Sequence, residues 1–302
     1  MPRAQWQTWD TPDGDVVAVA QFTPPADLLN HEAPLLVLFH GLEGSAHSHY
    51  AQALAAACAR AGVLLWVLHF RGCGGLSNRL PRAYHAGDSA EIDWMLARVA
   101  ALAPQRPRAA LGVSLGGNAL MLWAAQQGTA AARVVNAVAS VSAPFDLAAA
   151  GHAIEQGVNR WLYTPMFLRT MKPKALAKWR AFPNQFDGAR VRAARTIAAF
   201  DDAFTAPLHG YRGVHDYWAR ASAGPHLGAL AVPAWLAHAQ NDPFVPYQSL
   251  PVRQRMPRGV QWVTPRHGGH AGYLRAQGAP WRGQLWGWCE DLLHWLRQHA
   301  YG

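Results

Sequence analysis

Short apolar runs alternate with segments of helical periodicity along the first half of the chain. The apolar runs, which predict strands, lie at 35–39, 63–70, 108–113 and 134–141. Between them, stretches rich in Ala and Leu predict helices at 48–61, 88–102 and 115–127. A weaker alternation at 15–22 predicts an edge strand. Strands that alternate with helices predict an α/β fold with a mostly parallel sheet flanked by helices.

The alternation stops after Pro144 and resumes near residue 232. Residues 145–215 have a mostly helical pattern, rich in Trp, Phe, Met and Arg, and contain no clear strand. The later pattern predicts a strand at 232–238, a weak helix at 248–256, a strand at 260–264 and a helix at 281–299. An insertion that interrupts a parallel sheet predicts a lid. We therefore expect a core formed by 1–144 and 216–302, with a helical lid at 145–215.

The composition is that of a globular protein and argues against several other classes. Of the 302 residues, 51% are hydrophobic and 15% are charged, which argues against a disordered or coiled-coil protein. Three cysteines without CxxC spacing predict neither a disulfide framework nor a zinc site, and a cytoplasmic location fits best. No apolar run occurs in the first twenty residues, so no signal peptide is expected. The uncharged segment 109–132 contains Gly, Asn and Gln, which favour a buried strand, turn and helix over a membrane span.

The positive charge is concentrated in one window of the predicted lid. The net charge is +9, and residues 160–195 hold nine Arg or Lys and one acid, a net charge of +8. Such a local excess does not predict a nucleic-acid-binding protein. Because aromatic residues lie between the cations, we expect weak contact of this window with an anionic membrane surface. Two alternatives are that the window attracts an anionic substrate, or that it only covers the active site while its arginines remain in solvent. Pro165, Pro173 and Pro183 predict short helical pieces here rather than one long amphipathic helix.

A nucleophile motif lies between the strand at 108–113 and the helix at 115–127. Residues 112–116 read Gly-Val-Ser-Leu-Gly and match G-x-S-x-G. In this context the motif predicts a strained strand-to-helix turn that exposes the Ser114 hydroxyl above the sheet. A side chain at either flanking glycine would collide with the neighbouring strand or helix. A hydroxyl becomes a good nucleophile only when a base takes its proton and an acid orients that base.

The acid and the base should follow the nucleophile in the order Ser, Asp, His. Asp242 follows the strand at 232–238, at the carboxyl edge where α/β proteins place functional groups. Asp146, just after the strand at 134–141, is the rival acid. His267 and His270 both follow the strand at 260–264, and His270 lies deeper in a glycine-rich loop. The residues alone favour Asp242 and leave both histidines open.

Two backbone N–H groups should stabilise the oxyanion of acyl chemistry. One is that of Leu115, directly after the nucleophile, and the other is that of Leu42, in the His-Gly-Leu-Glu-Gly-Ser loop after the strand at 35–39. The nearby His40, Glu43, His47 and His49 match no zinc signature, so no metal or other cofactor is expected. Residues 71–75 are rich in glycine but lack the Gly-Lys-Ser/Thr ending of a phosphate loop, and a turn is favoured.

These motifs together are similar to those of a known family. The chain resembles the YheT-like branch of the α/β-hydrolases, which contains bacterial hydrolases and eukaryotic esterases, lipases and medium-chain ester-forming acyltransferases. The resemblance rests on residues 40–45, 71–75, 78–79, 84–87, 112–118, 200–202, 241–243 and 268–272. It implies Ser114, Asp242 and His270 as a catalytic triad, and it selects His270 over His267 because the base of the family lies in the Gly-Gly-His string.

The leading functional hypothesis is hydrolysis of short- to medium-chain acyl esters through an acyl-enzyme. Transfer of the acyl group to an alcohol on the same triad is the close alternative, because only the attacking molecule differs. A non-catalytic lipid-binding protein of the same fold is the third alternative. The four intact elements, Ser, Asp, His and the oxyanion loop, count against it. The expected partner is a small-molecule acyl ester, without nucleic acid.

Overall fold

The sheet predicted from the alternating pattern has eight strands. The computed structural model describes residues 3–252, 256–273, 275–276, 283–284 and 287–301. The strands of the sheet are β1 (Gln5–Asp10), β2 (Val16–Phe22), β3 (Leu35–Phe39), β4 (Leu64–Leu68), β5 (Arg108–Val113), β6 (Ala137–Val141), β7 (Ala234–Ala237) and β8 (Val260–Val263). Their order is β1-β2-β4-β3-β5-β6-β7-β8, and the strands from β4 to β8 pair in parallel. The expected α/β fold with a mostly parallel sheet is confirmed.

The position of the edge strand differs from the prediction. The strand predicted at 15–22 is present as β2, but it pairs antiparallel with β1 on one side and with β4 on the other. The edge is β1, whose sequence Gln-Trp-Gln-Thr-Trp-Asp is polar and almost wholly exposed. The apolar residues of β2 alternate only weakly because nearly all of them are buried.

Helices cover both faces of the sheet because both faces are apolar. The α-helices are α1 (His49–Ala61), α2 (Ser89–Leu102), α3 (Leu115–Gln127), α4 (Leu147–Ile154), α5 (Gly157–Ala181), α6 (Gly188–Ala193), α7 (Ile197–Phe200), α8 (Ala206–Leu208), α9 (Val214–Ala221) and α10 (Trp288–His299). Leu35 and Val37 of β3 pack with α2 and α3, whereas Leu36 and Leu38 pack with α1 and α10. Successive side chains of a strand point to opposite faces, so this alternation places one helical layer on each side.

Helices α4 to α9 form a segment between β6 and β7 with an apolar cluster of its own. Met171, Phe200, Phe204 and Trp218 belong to this cluster. The segment occupies the region predicted to be helical, and its role as a lid stays a prediction. Among the described residues, no helix combines the length and apolar character needed to cross a bilayer.

The prediction that prolines divide this region into short pieces was wrong. Helix α5 runs for 25 residues through Pro165 and Pro173. Each proline removes one backbone hydrogen bond, but the helix continues because packing stabilises one of its sides. Thr164, Leu168 and Met171 are buried at helical spacing along that side.

Two predicted helices in the last quarter of the chain also differ from the structure. Within 248–256, only a single 3₁₀ turn at Tyr247–Ser249 overlaps the prediction, and residues 253–255 lie outside the described residues. The helix predicted at 281–299 begins at Trp288 instead. Gly283–Gln284 forms a short antiparallel pair with Arg275–Ala276, and residues 281, 282, 285 and 286 lie outside the described part.

Candidate active site

Ser114 occupies a sharp turn between β5 and α3. Its backbone has φ 53° and ψ −121°, a conformation that L-residues rarely adopt. The flanking glycines allow this turn because the chain passes close to them. A Cβ on Gly112 would lie 2.3 Å from the Gly116 carbonyl oxygen, and one on Gly116 would lie 2.5 Å from that of Phe39. The turn therefore depends on glycine at both positions, as the sequence predicts.

The side chains of Ser114, His270 and Asp242 form a continuous chain of contacts. His270 Nε2 lies 2.9 Å from Ser114 Oγ, and His270 Nδ1 lies 2.9 Å from Asp242 Oδ2. An ionised carboxylate can only accept hydrogen bonds, so Nδ1 carries the ring proton and donates a hydrogen bond to Asp242. The lone pair of Nε2 then faces the Ser114 hydroxyl, which donates to it. The structure brings together the three residues predicted for the triad.

The rival residues lie elsewhere. The carboxylate of Asp146 caps the N-terminus of α4 and accepts from the Ala149 N–H at 3.0 Å. This is an ordinary helix-capping role, in which the side chain satisfies a backbone donor of the first turn. His267 is exposed, whereas His270 is only partly exposed and contacts Ser114. The geometry thus favours Asp242 over Asp146 and His270 over His267.

The carboxylate of Asp242 is fully buried and held by backbone donors. Its Oδ1 accepts from the N–H groups of Phe244 at 2.8 Å and Val245 at 3.2 Å. His238 Nε2 lies 3.6 Å from Oδ2, and burial lowers the pKa of this histidine, which favours its neutral form. These contacts hold the carboxylate at hydrogen-bond distance from His270 Nδ1. The position of His238 beside Asp242 was not predicted, because nothing distinguishes it in sequence from the other fourteen histidines.

The loop that carries His270 is held from two sides. The side-chain oxygen of Asn241 accepts from the N–H groups of Gly268 and Gly269, each at 2.9 Å. On the other side of His270, the Ala271 N–H donates to the Ser142 hydroxyl at 3.1 Å. The contacts of Asn241 give it a physical role in positioning the base.

The two residues predicted to stabilise an oxyanion both line the pocket at Ser114. Leu115 begins α3, so its N–H belongs to the first turn, where helical N–H groups have no acceptor within the helix. The loop that carries Leu42 runs directly beside the nucleophile. A Cβ on Gly41 would lie 3.2 Å from the Cβ of Ser114. Both N–H groups therefore belong to backbone that adjoins Ser114.

Two buried histidines tie this oxyanion loop to the sheet. His40 Nδ1 donates to the Gly41 carbonyl at 2.7 Å, and its Nε2 accepts from the Phe70 N–H at 3.1 Å. His69 Nε2 accepts from the Ala46 N–H at 2.9 Å. Burial lowers the pKa of His40 to about 3 and that of His69 to about 4, so both are neutral. Both ring nitrogens of His40 are thus hydrogen-bonded to backbone groups. Among the described residues, no group of three or more His, Cys, Asp or Glu side chains is placed to hold a metal ion.

Glu43 connects the oxyanion loop to the helical segment. Its backbone adopts φ 56°, and its N–H donates to the Tyr84 hydroxyl at 2.8 Å. That hydroxyl donates in turn to Glu43 Oε1 at 3.0 Å, while Lys174 Nζ of α5 lies 2.8 Å from Oε2. The carboxylate next to Leu42 is therefore bound by one group of the core and one of α5.

The glycine-rich stretch at 71–75 forms a turn, and its arginine has a structural role. The Arg71 side chain is buried and forms ion pairs with Asp13 and Asp15, at 2.8 and 3.1 Å, and with Glu91 at 2.9 Å. The Arg71 guanidinium group is thus paired with three carboxylates. This arrangement favours a role in joining the N-terminal strands to α2 over phosphate binding.

A largely apolar cavity of about 600 Å³ opens above Ser114. Its wall includes residues from the core and from α4, α5 and α9, among them Leu147, Phe167, Met171, Phe204, Trp218 and Phe244. The buried Asp201, in a π-helical turn at Asp201–Thr205, accepts from the Thr205 hydroxyl at 2.7 Å and the Trp218 indole at 2.9 Å. Burial raises the pKa of Asp201 to about 6. The cavity can hold an apolar chain with one end at the Ser114 hydroxyl.

Comparisons with known proteins agree with the fold. An esterase of Pyrococcus furiosus has a TM-score of 0.61 at 11% identity, covering 100% of this chain and 94% of that one. The esterase domain of a Rhodothermus marinus protein has a TM-score of 0.55 at 15% identity, covering 99% of this chain and 100% of that one. At such low identity these matches bear on the fold alone.

Sequence comparisons define the family. The chain is 39% identical over 271 residues to a protein of Escherichia coli strain K12 named "Putative esterase YheT", covering 89% of this chain and 78% of that protein. It is 29% identical over 243 residues to the mouse phospholipase ABHD3, covering 80% of this chain but only 58% of that protein. The family model described as the alpha/beta hydrolase fold matches residues 34–276. The chain belongs to the α/β-hydrolase family, in its YheT-like branch.

Proposed function

We propose that the protein is a serine carboxylic-ester hydrolase in which Ser114, His270 and Asp242 form the catalytic triad. The observation that carries this proposal is the unbroken contact chain from Asp242 through His270 to Ser114, with 2.9 Å at each link. Family membership supports the hydrolase class, and the contact chain supports the choice of residues. Nucleophile, base and acid at hydrogen-bond distances are the arrangement that acyl transfer through serine requires.

In the acylation step, Ser114 Oγ attacks the ester carbonyl carbon while His270 Nε2 takes the hydroxyl proton. The carbonyl π pair moves to oxygen, and a tetrahedral intermediate forms. Collapse of this intermediate breaks the bond to the alkoxy group, which leaves as an alcohol after accepting the proton from His270. The buried carboxylate of Asp242 stabilises the imidazolium that exists between the two proton transfers, and it keeps the ring in the productive orientation.

The charge that develops on the carbonyl oxygen falls next to the start of α3. The N–H of Leu115 and that of Leu42 are the proposed donors to this oxyanion. The positive end of the α3 dipole also lies at this point and favours negative charge. The Leu42 N–H belongs to a loop held by His40 and Glu43, and the Leu115 N–H belongs to the first turn of α3, so both donors need little reorganisation when the charge appears.

In the deacylation step, water attacks the carbonyl carbon of the acyl-Ser114 ester and gives a proton to His270. Collapse of this second tetrahedral intermediate breaks the bond between the carbonyl carbon and Ser114 Oγ, which takes the proton back from His270, and the carboxylic acid leaves. The acyl chain occupies the apolar cavity, whose volume of about 600 Å³ lies within the range of pockets that bind small molecules. We propose short- to medium-chain acyl esters as the substrate class. The carbon chain would pack on apolar residues of the helical segment, while the ester group lies at Ser114.

Covalent labelling tests the nucleophile directly. A fluorophosphonate probe should label the native protein and fail to label Ser114→Ala, since the probe forms a bond with an activated serine hydroxyl. A series of p-nitrophenyl esters of increasing chain length should then give the preferred acyl length. Added ethanol shows whether an alcohol competes with water for the acyl-enzyme. Labelling that persists in Ser114→Ala would show that the proposed nucleophile is wrong.

A further inference from the structure

Helix α5 exposes a patch of large apolar side chains to solvent. Val158, Trp161, Leu162 and Met166 are 73%, 79%, 56% and 49% exposed. Their spacing of three and four residues places them on one side of the helix, within about two turns. The other large apolar side chains that are exposed in the described part are separate from this patch: Trp6, Leu28, Leu29 and Leu102. We name the four α5 residues the α5 patch.

Another side of the same helix faces the candidate active site. The rings of Tyr163 and Phe167 lie 4.6 and 6.1 Å from the ring of Phe244. Phe244 in turn lies 4.7 Å from the imidazole of His270. Phe167 and Met171 also line the cavity above Ser114. The α5 patch is therefore on the outer side of a helix whose inner side forms part of the cavity wall.

Two arginines accompany the patch and have no carboxylate partner within the described residues. The Arg160 guanidinium lies 5.6 Å from the ring of Trp161, and Arg169 is exposed one turn after Met166. The lysines of the basic window are engaged elsewhere, and Lys172 donates to the carbonyls of Arg192 and Ala194. Lys174 pairs with Glu43, and Lys178 donates to Asn78 and to a backbone carbonyl. Arg180, the third exposed arginine of α5, lies fourteen residues after Met166, so Arg160 and Arg169 are the arginines of α5 that lie near the patch.

We propose that the α5 patch docks the protein on an anionic lipid surface. An exposed tryptophan beside large aliphatic side chains suits the boundary between headgroups and acyl chains, where apolar area is buried and the indole N–H stays near polar groups. Arg160 and Arg169 flank the apolar residues and complement the phosphate and carboxylate charges of acidic headgroups. This charge complementarity selects an anionic lipid surface over a neutral one.

Docking in this position would bring the cavity wall to the lipid that supplies the substrate. Helix α5 carries the patch on its outer side, while Tyr163 contacts the ring of Phe244 and Phe167 lines the cavity on its inner side. An ester in the lipid surface would thus enter close to Ser114. This consequence for the substrate rests on the proposed function, whereas the docking itself does not.

Flotation with lipid vesicles tests the docking. The full chain should float with vesicles of phosphatidylcholine and phosphatidylserine at low salt, and much less with pure phosphatidylcholine or at high salt. Replacing Trp161, Leu162 and Met166 together by Ser should lower partitioning by more than about tenfold, because burial of each side chain is lost. Changing Arg160 and Arg169 to Gln should lower it roughly fivefold per residue, and only on anionic vesicles. The control, Leu28→Ser with Leu102→Ser, removes comparably exposed apolar side chains and should float like the native protein.

Three results would overturn the proposal: equal partitioning of the native protein to neutral and anionic vesicles, no flotation at all, or native-like flotation of the Trp161, Leu162 and Met166 variant. Sedimentation of the same proteins shows whether the patch joins two copies instead, in which case the native protein is a dimer and this variant a monomer. Hydrolysis of a water-soluble p-nitrophenyl ester should be unchanged in the patch variants. If the native protein floats as expected but has no such activity, the proposed function fails while the docking stands.

Discussion

Replacing Asp242 by Asn is the sharpest test of the proposed triad, because the amide has nearly the same shape as the carboxylate but different hydrogen-bonding groups. In the native protein, Oδ1 accepts from two backbone N–H groups, and Oδ2 lies 2.9 Å from His270 Nδ1. The amide oxygen of Asn should keep the position of Oδ1, since both backbone groups are donors. The NH₂ group must then occupy the position of Oδ2 and face the imidazole.

A donor at this position reverses the proton arrangement of His270. Nδ1 must accept, so the ring proton moves to Nε2, which then cannot take the proton of Ser114. The equivalent change in a serine protease lowers kcat about 10⁴-fold, or about 5.5 kcal/mol at 1.36 kcal/mol per factor of ten. We expect a loss of this size here. The unfolding temperature should change little, because the amide fills the same space and keeps both backbone contacts.

The assay is hydrolysis of a p-nitrophenyl ester, with circular dichroism to show that the fold persists. The matched control is Asp146→Asn. Its amide oxygen can still accept from the Ala149 N–H, and Asn caps helices about as well as Asp. This variant should keep nearly native kcat. Activity of Asp242→Asn within a factor of ten of native, or an equal loss in Asp146→Asn, would refute the assignment of the acid.

Three further substitutions, with His267→Ala as a control, test the base, the turn and the His270 loop. His270→Ala should lower kcat by on the order of 10⁶-fold, as loss of the base does in subtilisin, whereas the exposed His267→Ala should remain close to native in the same ester assay. Gly112→Ala should lower the free energy of unfolding in urea by ~1–3 kcal/mol, because its Cβ would lie 2.3 Å from the Gly116 carbonyl oxygen. Asn241→Ala should lower kcat by roughly 10²-fold with little change in KM, since the His270 loop loses two hydrogen bonds; an unchanged kcat would show that this loop does not need Asn241.

The parts of the site predicted from the sequence are those set by local pattern and by sheet topology. The apolar runs on either side of Ser114 place the strand at 108–113 and the helix at 115–127 with the bounds that the structure has. Asp242 follows β7, and His270 follows β8. In a parallel sheet the carboxyl ends of neighbouring strands lie at one edge, so the loops after β7 and β8 are expected near the nucleophile. Chain order does not separate His270 from His267, and that choice came from the family resemblance.

The features that were missed or wrongly predicted depend on contacts between elements rather than on the pattern within one element. Strand β1 is too polar to be recognised and is held by its pairing with β2. Helix α5 continues past its prolines because its buried side packs within the helical segment. His238 lies beside Asp242 although no local pattern distinguishes it from other histidines. The pattern of apolar and polar residues along the chain indicates which residues are buried. Which side chains contact one another depends on how the helices and strands pack.

Backbone strain in the described residues is concentrated around the candidate site. Six non-glycine residues have positive φ, and five of them lie at the nucleophile, in the oxyanion loop or at the His270 loop and its partner Ser142: Glu43, Ser114, Ser142, Ala271 and Tyr273. Each such conformation costs about 1–3 kcal/mol unless the surrounding contacts offset it. Here the contacts come from other segments, since Tyr84 and Lys174 hold Glu43, and Ser142 binds both Ala271 and Tyr273. The geometry at Ser114 therefore depends on contacts that reach the two neighbouring loops from elsewhere in the chain: those of Tyr84 and Lys174 with Glu43, and that of Ser142 with the His270 loop.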